Sequence, residues 1–169
     1  MITVRRNDML LYAVSIVICA ASYVMLNKNI ELSLLPHKTA LEYLYNFNFV
    51  FIENVGYEQS NRLFTIARNC LGVKLFINLF LIMVFGFLHK YTETKHKIKA
   101  IIKFYFIALL LALVVTILRI SMSVPFCTWE KFHLIHITIS LGIYFATGLI
   151  LYLVMERSYE KNKGLYTTY

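Results

Sequence analysis

The stretch AIIKFYFIALLLALVVTIL, residues 100–118, decides the class of this protein. Its only charged side chain is Lys103, close enough to the start of the stretch for its amine to extend to the lipid headgroups. A helix needs about 20 predominantly apolar residues to cross the hydrocarbon core of a bilayer. The stretch is therefore predicted to be a membrane-spanning helix.

Three further runs, at residues 9–26, 71–88 and 133–155, are similarly apolar and of comparable length. The chain of 169 residues is 59% hydrophobic, with a mean hydropathy of +0.65. A water-soluble domain of this length could not bury so much apolar surface. The sequence predicts an all-α integral membrane protein, a single domain over residues 1–169, built as a bundle of about four transmembrane helices.

The orientation of the bundle is predicted from its basic residues. They are concentrated at the N-terminus, with Arg5 and Arg6, in the loop at residues 89–99, and in the tail after Arg157. An even number of spans puts these segments on one side, and cytoplasmic loops carry an excess of lysine and arginine. We expect a multi-pass protein of the cell membrane with both termini cytoplasmic. Orientation signals and anionic lipid account for the net charge of +8, and nucleic acid is not an expected partner.

The long segment at residues 27–70 is then expected on the outer side. Within it, LEYLYNFNFVFI, residues 41–52, is too short to span the membrane, and its aromatic residues alternate as in a strand. A lone strand in lipid would leave its backbone polar groups unsatisfied. The pattern is therefore interpreted as an interfacial or re-entrant helical segment packed on the outer side of the bundle.

Chemically unusual residues fall at the outer ends of three predicted helices. Cys70 begins the second run, Arg119 follows the third, and His133 and His136 begin the fourth. Because packed helix axes are about 8–10 Å apart, side chains at one membrane level can meet. The topology therefore predicts a site at the outer face.

The chemistry of such a group points to acyl transfer. A thiolate is the nucleophilic form of cysteine, and a nearby cation favours it. A histidine can accept the thiol proton and later protonate a leaving amine, while an arginine can stabilise the thiolate or a developing oxyanion. Cys70, Arg119 and His136 are thus the candidate catalytic residues for cleaving a peptide through a thioester.

Three motifs in this region also carry a family resemblance. The sequence Cys-Leu-Gly occupies residues 70–72, Arg119 ends the third run, and His136 is followed by Ser140 and Tyr144. In order and spacing they resemble the exosortase/archaeosortase family of membrane cysteine transpeptidases, and the short chain is most similar to the small exosortase K-like type. Thr116 stands where that family usually has an asparagine.

The resemblance implies a sorting enzyme that needs no cofactor or metal. Its partners would be membrane lipid and exported proteins whose C-terminal tail has a recognition motif, one transmembrane helix and a basic cluster. The enzyme would cut at the motif and pass the new C-terminus to an acceptor at the outer face. Besides the catalytic residues, the candidate supporting residues are His133, Arg68, Asn69 and Thr116.

Other interpretations of the same residues remain open. Cys70 and Cys127 share the predicted outer side, so they could form a structural disulfide. Asn69 could serve simply to begin the second helix. The chain could also be a non-catalytic membrane protein that binds lipid or partner helices, with Arg119 contacting a phosphate. A small transporter is disfavoured because the helix centres lack the ionisable residues that mark a transport pathway.

Overall fold

A computed structural model describes residues 6–61 and 63–166 of the chain, so Arg5 lies outside the described residues. Four of its helices are long and apolar enough to cross a membrane, which confirms the predicted fold class. These four are α1 (Arg6–Lys28), α3 (Val73–Phe87), α4 (Thr94–Ser123) and α5 (Phe132–Tyr166). Helix α3 reaches this length together with the 3₁₀ turns at its two ends, as a segment over Arg68–Lys90.

Helix α3 lies at the centre of the bundle and contacts α1, α4 and α5. Its large side chains, among them Phe76 and Phe80, are buried. The facing side of α4 carries Ala100, Ala108 and Ala112 at helical spacing, and these small residues are buried too. Small residues let two membrane helices approach closely, so the α3–α4 pair forms the core of the bundle.

Helix α1 is joined to α4 by polar contacts near both of its ends. The Lys97 amine pairs with the Asp8 carboxylate at one end, and the Ser22 hydroxyl lies 3.1 Å from the Tyr105 hydroxyl nearer the other. Cys19 is buried among the apolar side chains of the core. These contacts fix the rotation of α1 against the α3–α4 pair.

The segment between α1 and α3 begins with a helix and ends with a small sheet. Helix α2 (Ile30–Tyr45) is followed by three antiparallel strands in the order β1–β2–β3. The strands are β1 (Phe49–Ile52), β2 (Gly56–Gln59) and β3 (Thr65–Ala67). Helix α2 and the sheet pack against the end of α4 that carries Ile120 and Val124, and we call this end of the bundle the sheet end.

The predicted helix over residues 41–52 is therefore correct as far as Tyr45 and wrong for residues 49–52. Of the alternating aromatics, Phe49 and Phe51 do lie in a strand, in which Phe49 is buried and Val50 is exposed. A lone strand would leave its backbone polar groups unsatisfied, but β1 is not alone. Strand β2 supplies its hydrogen-bonding partner, with Phe49 opposite Gln59 in the ladder.

A glycine holds the sheet together at its tightest point. Gly56 has a φ of +125°, and a Cβ built on it would lie 2.2 Å from the Ile66 carbonyl oxygen on β3. Both the backbone angle and the close strand approach therefore require glycine. Ile66 of β3 is buried with Ile120 at the sheet end, and β3 ends at Ala67, three residues before Cys70.

Candidate active site

Cys70 is positioned by a tight turn between the sheet and the bundle. A 3₁₀ turn (Arg68–Leu71) follows β3, and Gly72 then reverses the backbone with a φ of +69° before α3 begins. A Cβ on Gly72 would lie 2.3 Å from the Thr116 methyl on α4. Because Gly72 has no side chain, the half-buried Cys70 sits close to α4.

Arg119 lies one helical turn beyond Thr116 and is only 6% exposed. Its Nη1 donates a 2.7 Å hydrogen bond to the Tyr144 hydroxyl on α5, and its Cζ lies 5.5 Å from the centre of the Tyr144 ring. Its Nε and Nη2 are buried without hydrogen-bond partners. No carboxylate among the described residues pairs with it, so its charge is compensated only by neutral groups.

The Arg119 guanidinium is close enough to the Cys70 thiol for the two groups to interact electrostatically, although no hydrogen bond of ordinary geometry joins them. The Tyr144 hydroxyl interacts with both, so the thiol, guanidinium and phenol form one cluster. Two of the three predicted catalytic residues are thus neighbours.

His136 reaches the same cluster through Ser123. The His136 Nδ1 lies 3.0 Å from the Ser123 Oγ, and the Ser123 hydroxyl donates its own hydrogen to the Arg119 carbonyl oxygen over 2.8 Å. Since that hydrogen is committed, the serine oxygen must accept from an Nδ1–H. The neutral tautomer implied by this pattern leaves the His136 Nε2 as a free acceptor.

The geometry separates the two histidines of α5. His136 is half-buried and faces α4, whereas His133 is exposed. His136 and Cys70 are not hydrogen-bonded to each other in the part of the chain that the structure describes, and Arg119 and Ser123 are the groups that connect them. The predicted group is therefore assembled pairwise around Arg119.

The candidate supporting residues divide in the same way. Thr116 is fully buried beside Gly72, while Arg68 and Asn69 are exposed. The expectation that Asn69 begins the second helix is wrong. Gly72 is the N-cap of α3, and no side chain caps it. The disulfide alternative is also not realised, since all three cysteines are free thiols.

His37 is a site residue that the sequence did not reveal. It lies on α2, is 1% exposed, and its Nε2 is 2.9 Å from the Thr116 Oγ1. Burial, and then the positive charge of Arg119, lower the pKa of His37 to about 4, so the ring is neutral at physiological pH. In the sequence it is a histidine between Pro36 and Lys38, and this local pattern does not indicate which part of the bundle α2 covers.

The chemistry of this cluster is identified neither by a metal-binding group among the described residues nor by similarity to a known protein. Among the described residues, no three histidine, cysteine or acidic side chains are grouped so that they could hold a metal ion. Searches of protein-family models, curated proteins and solved structures gave no match to the chain. The site must therefore be interpreted from its own geometry.

Proposed function

We propose that this protein is a membrane cysteine transpeptidase or protease of the exosortase type. It would cleave the C-terminal sorting signals of exported proteins at the outer membrane face through a thioester. The observation that carries the proposal is the proximity of the Cys70 thiol to the buried guanidinium of Arg119, which has no carboxylate partner among the described residues. A cation beside a thiol favours the nucleophilic thiolate and so opposes the effect of burial, which favours the neutral thiol.

In the first half of the reaction, the Cys70 sulfur attacks the carbonyl carbon of the scissile peptide bond. A carbon–sulfur bond forms, and negative charge develops on the carbonyl oxygen. The unpaired Nε and Nη2 of Arg119 are suited to donate to that oxygen, because both belong to one edge of the planar guanidinium. The carbon–nitrogen bond then breaks and leaves a thioester.

The proton is carried by His136. Its free Nε2 accepts the thiol hydrogen and delivers it to the leaving amine nitrogen, while Ser123 holds the ring through Nδ1. We expect Cys70 and His136 to close to hydrogen-bond distance in the substrate complex, since catalytic contacts are often long without substrate. In the second half, water or an acceptor amine attacks the thioester and the thiol is restored.

The membrane setting suits a tethered substrate. A tail with its own transmembrane helix would present its scissile bond at a fixed depth, and Cys70 begins an apolar segment of membrane-spanning length. With the basic termini and the loop at residues 89–99 on the cytoplasmic side, the sheet end faces outward.

Co-expression with tailed exported proteins encoded by the same genome tests the proposal. We expect the chain to shorten the substrate by its C-terminal tail, as read by gel mobility and by the mass of the new C-terminus. Cys70→Ala should abolish the cleavage, and Cys127→Ala, at a second half-buried thiol near the sheet end, is the matched control. Equal processing by Cys70→Ala and the unaltered protein would refute the proposal.

A second function is favoured by one feature of the same site. The unpaired, buried donors of Arg119 could bind a lipid phosphate instead of a reacting carbonyl. In that case phospholipid would copurify equally with the unaltered protein and with Cys70→Ala, and would be lost from Arg119→Gln. Tail cleavage that depends on Cys70 would exclude this alternative.

A further inference from the structure

His37 hydrogen-bonds Thr116 from the side of α2. The His37 Nε2 lies 2.9 Å from the Thr116 Oγ1, and that oxygen also lies 2.7 Å from the Ala112 carbonyl oxygen and 3.0 Å from the Leu113 carbonyl oxygen. The tautomer of His37 decides whether Nε2 or Oγ1 carries the hydrogen between them. With either tautomer the Thr116 hydroxyl is held between α2 and the backbone of α4.

Thr116 transmits this restraint to the Cys70 turn. With its hydroxyl held between His37 and the backbone of α4, its methyl group is fixed against Gly72, in the space that a Cβ there would occupy. Gly72 lies two residues after Cys70, and Thr116 lies three residues before Arg119. Residues three apart on a helix share a face, so the Thr116–Gly72 contact lies beside the thiol–guanidinium pair.

We propose that His37 and Thr116 form a positioning pair that sets the distance between the Cys70 thiol and the Arg119 guanidinium. This role deepens the proposed function and rests on it, because the thiol and guanidinium are its reacting groups. Neither His37 nor Thr116 needs to touch the substrate for the role.

The polar contact of His37 distinguishes this role from simple filling of space. The ring is 1% exposed, and burying an imidazole costs free energy unless its nitrogens are hydrogen-bonded. An apolar side chain would fill the same volume without that cost. A histidine at this position is explained by the hydrogen bond between its Nε2 and Thr116.

The rate at which iodoacetamide alkylates Cys70 measures the pair without any substrate. The probe forms a carbon–sulfur bond with the thiolate and releases iodide, and mass spectrometry of the Cys70 peptide reports the rate. Thr116→Val keeps the shape that packs on Gly72 but removes the hydroxyl that pairs with His37. His37→Leu keeps an apolar volume but removes the ring nitrogen that pairs with Thr116.

We expect both variants to slow alkylation on the order of tenfold, which corresponds to about 1.4 kcal/mol of lost thiolate stabilisation. His37→Gln, the side-chain amide of which can donate to or accept from the Thr116 hydroxyl, should restore the rate to within about threefold. Thr39→Val on the exposed side of α2 is the matched control, because Thr39 donates to the Leu35 carbonyl oxygen as Thr116 donates to that of Ala112, yet lies away from the cluster.

The possible outcomes test the positioning pair separately from the proposed transpeptidase or protease activity. Equal alkylation rates in Thr116→Val and the unaltered protein would overturn the positioning pair, even if Cys70 cleaves tails. If His37→Leu does not fold, the Thr116→Val rate decides alone. Slower alkylation in Thr116→Val without any tail cleavage by the unaltered protein would support the pair and refute the proposed function.

Discussion

Acid should destabilise this protein through one buried histidine. His37 has a pKa of about 4 in the folded chain, against about 6.5 for an unperturbed imidazole. Between these values the unfolded chain binds a proton that the folded chain excludes, so stability is complete above about pH 6.5 and is lost as the pH falls towards 4. The difference of roughly 2.5 pKa units corresponds to about 3 kcal/mol.

The structural origin of this effect can be isolated by substitution. Arg119 on α4 is the charged group that disfavours protonation of His37, and burial beneath α2 is the larger cause. His37→Gln cannot titrate but retains a side-chain amide that can hydrogen-bond Thr116. Thermal unfolding in detergent, measured at about pH 7, 5.5 and 4.5, should therefore show a steeper loss of stability in the unaltered protein than in His37→Gln.

The comparison also cancels the other titrating groups. The remaining four histidines and the acidic residues are present in both proteins, so the difference between the two pH profiles belongs to His37. We expect that difference to approach about 3 kcal/mol at the acid end. Parallel profiles for the two proteins would refute a buried, neutral His37.

Four further predictions concern the site and the topology. Gly72→Ala should destabilise the fold by at least 1–2 kcal/mol, roughly the cost of a left-handed angle for a residue with a Cβ, whereas Gly86→Ala in open helix should be neutral or stabilising in the same unfolding assay. Arg119→Lys should lose most tail cleavage despite keeping its charge, because lysine lacks the planar edge with two donors; cleavage at the normal rate would rule out that edge as the oxyanion donor. His136→Ala should slow cleavage on the order of 10²–10⁴-fold and His133→Ala far less, and the reverse order would place the proton carrier one turn earlier on α5. A reporter in the β1–β2 turn should report the outer side and one in the α3–α4 loop the cytoplasm, and the opposite pattern would contradict the orientation.

The spanning helices could be predicted because their signal is local. Length and hydropathy alone identified the four apolar segments that the structure forms into helices. The strand at residues 49–52 could not be predicted with the same security, because its stability comes from pairing with β2 and β3 further along the chain. The alternation of Phe49 and Phe51 is a correct strand signal, but the aromatic alternation extends back to Tyr43 in α2 and does not identify the partner strand.

The site was predictable only where it depends on the ends of those helices. Cys70, Arg119 and His136 lie near the ends of apolar segments, and the topology predicts that these ends share one membrane level. In the structure Arg119 is on α4, and Cys70 and His136 each interact with a side chain of that helix. His37 could not be found in this way, because the path of α2 over the sheet end is a tertiary property. The pairing of Arg119 with Tyr144 depends on the rotation of α5, which the apolar pattern does not determine.

The neutral surroundings of Arg119 are the feature that ties the site together. A carboxylate beside a buried guanidinium would satisfy its donors and neutralise its charge permanently. Here the hydrogen-bond partner of the guanidinium among the described residues is instead the Tyr144 phenol, and the nearby His37 is too buried to be charged. On the proposed function, this arrangement keeps the positive charge uncompensated until an anion arises in the site itself, first on the Cys70 sulfur and then on the substrate oxygen. The stabilisation is then specific to the charges that the reaction creates, and this is the condition for lowering its barrier.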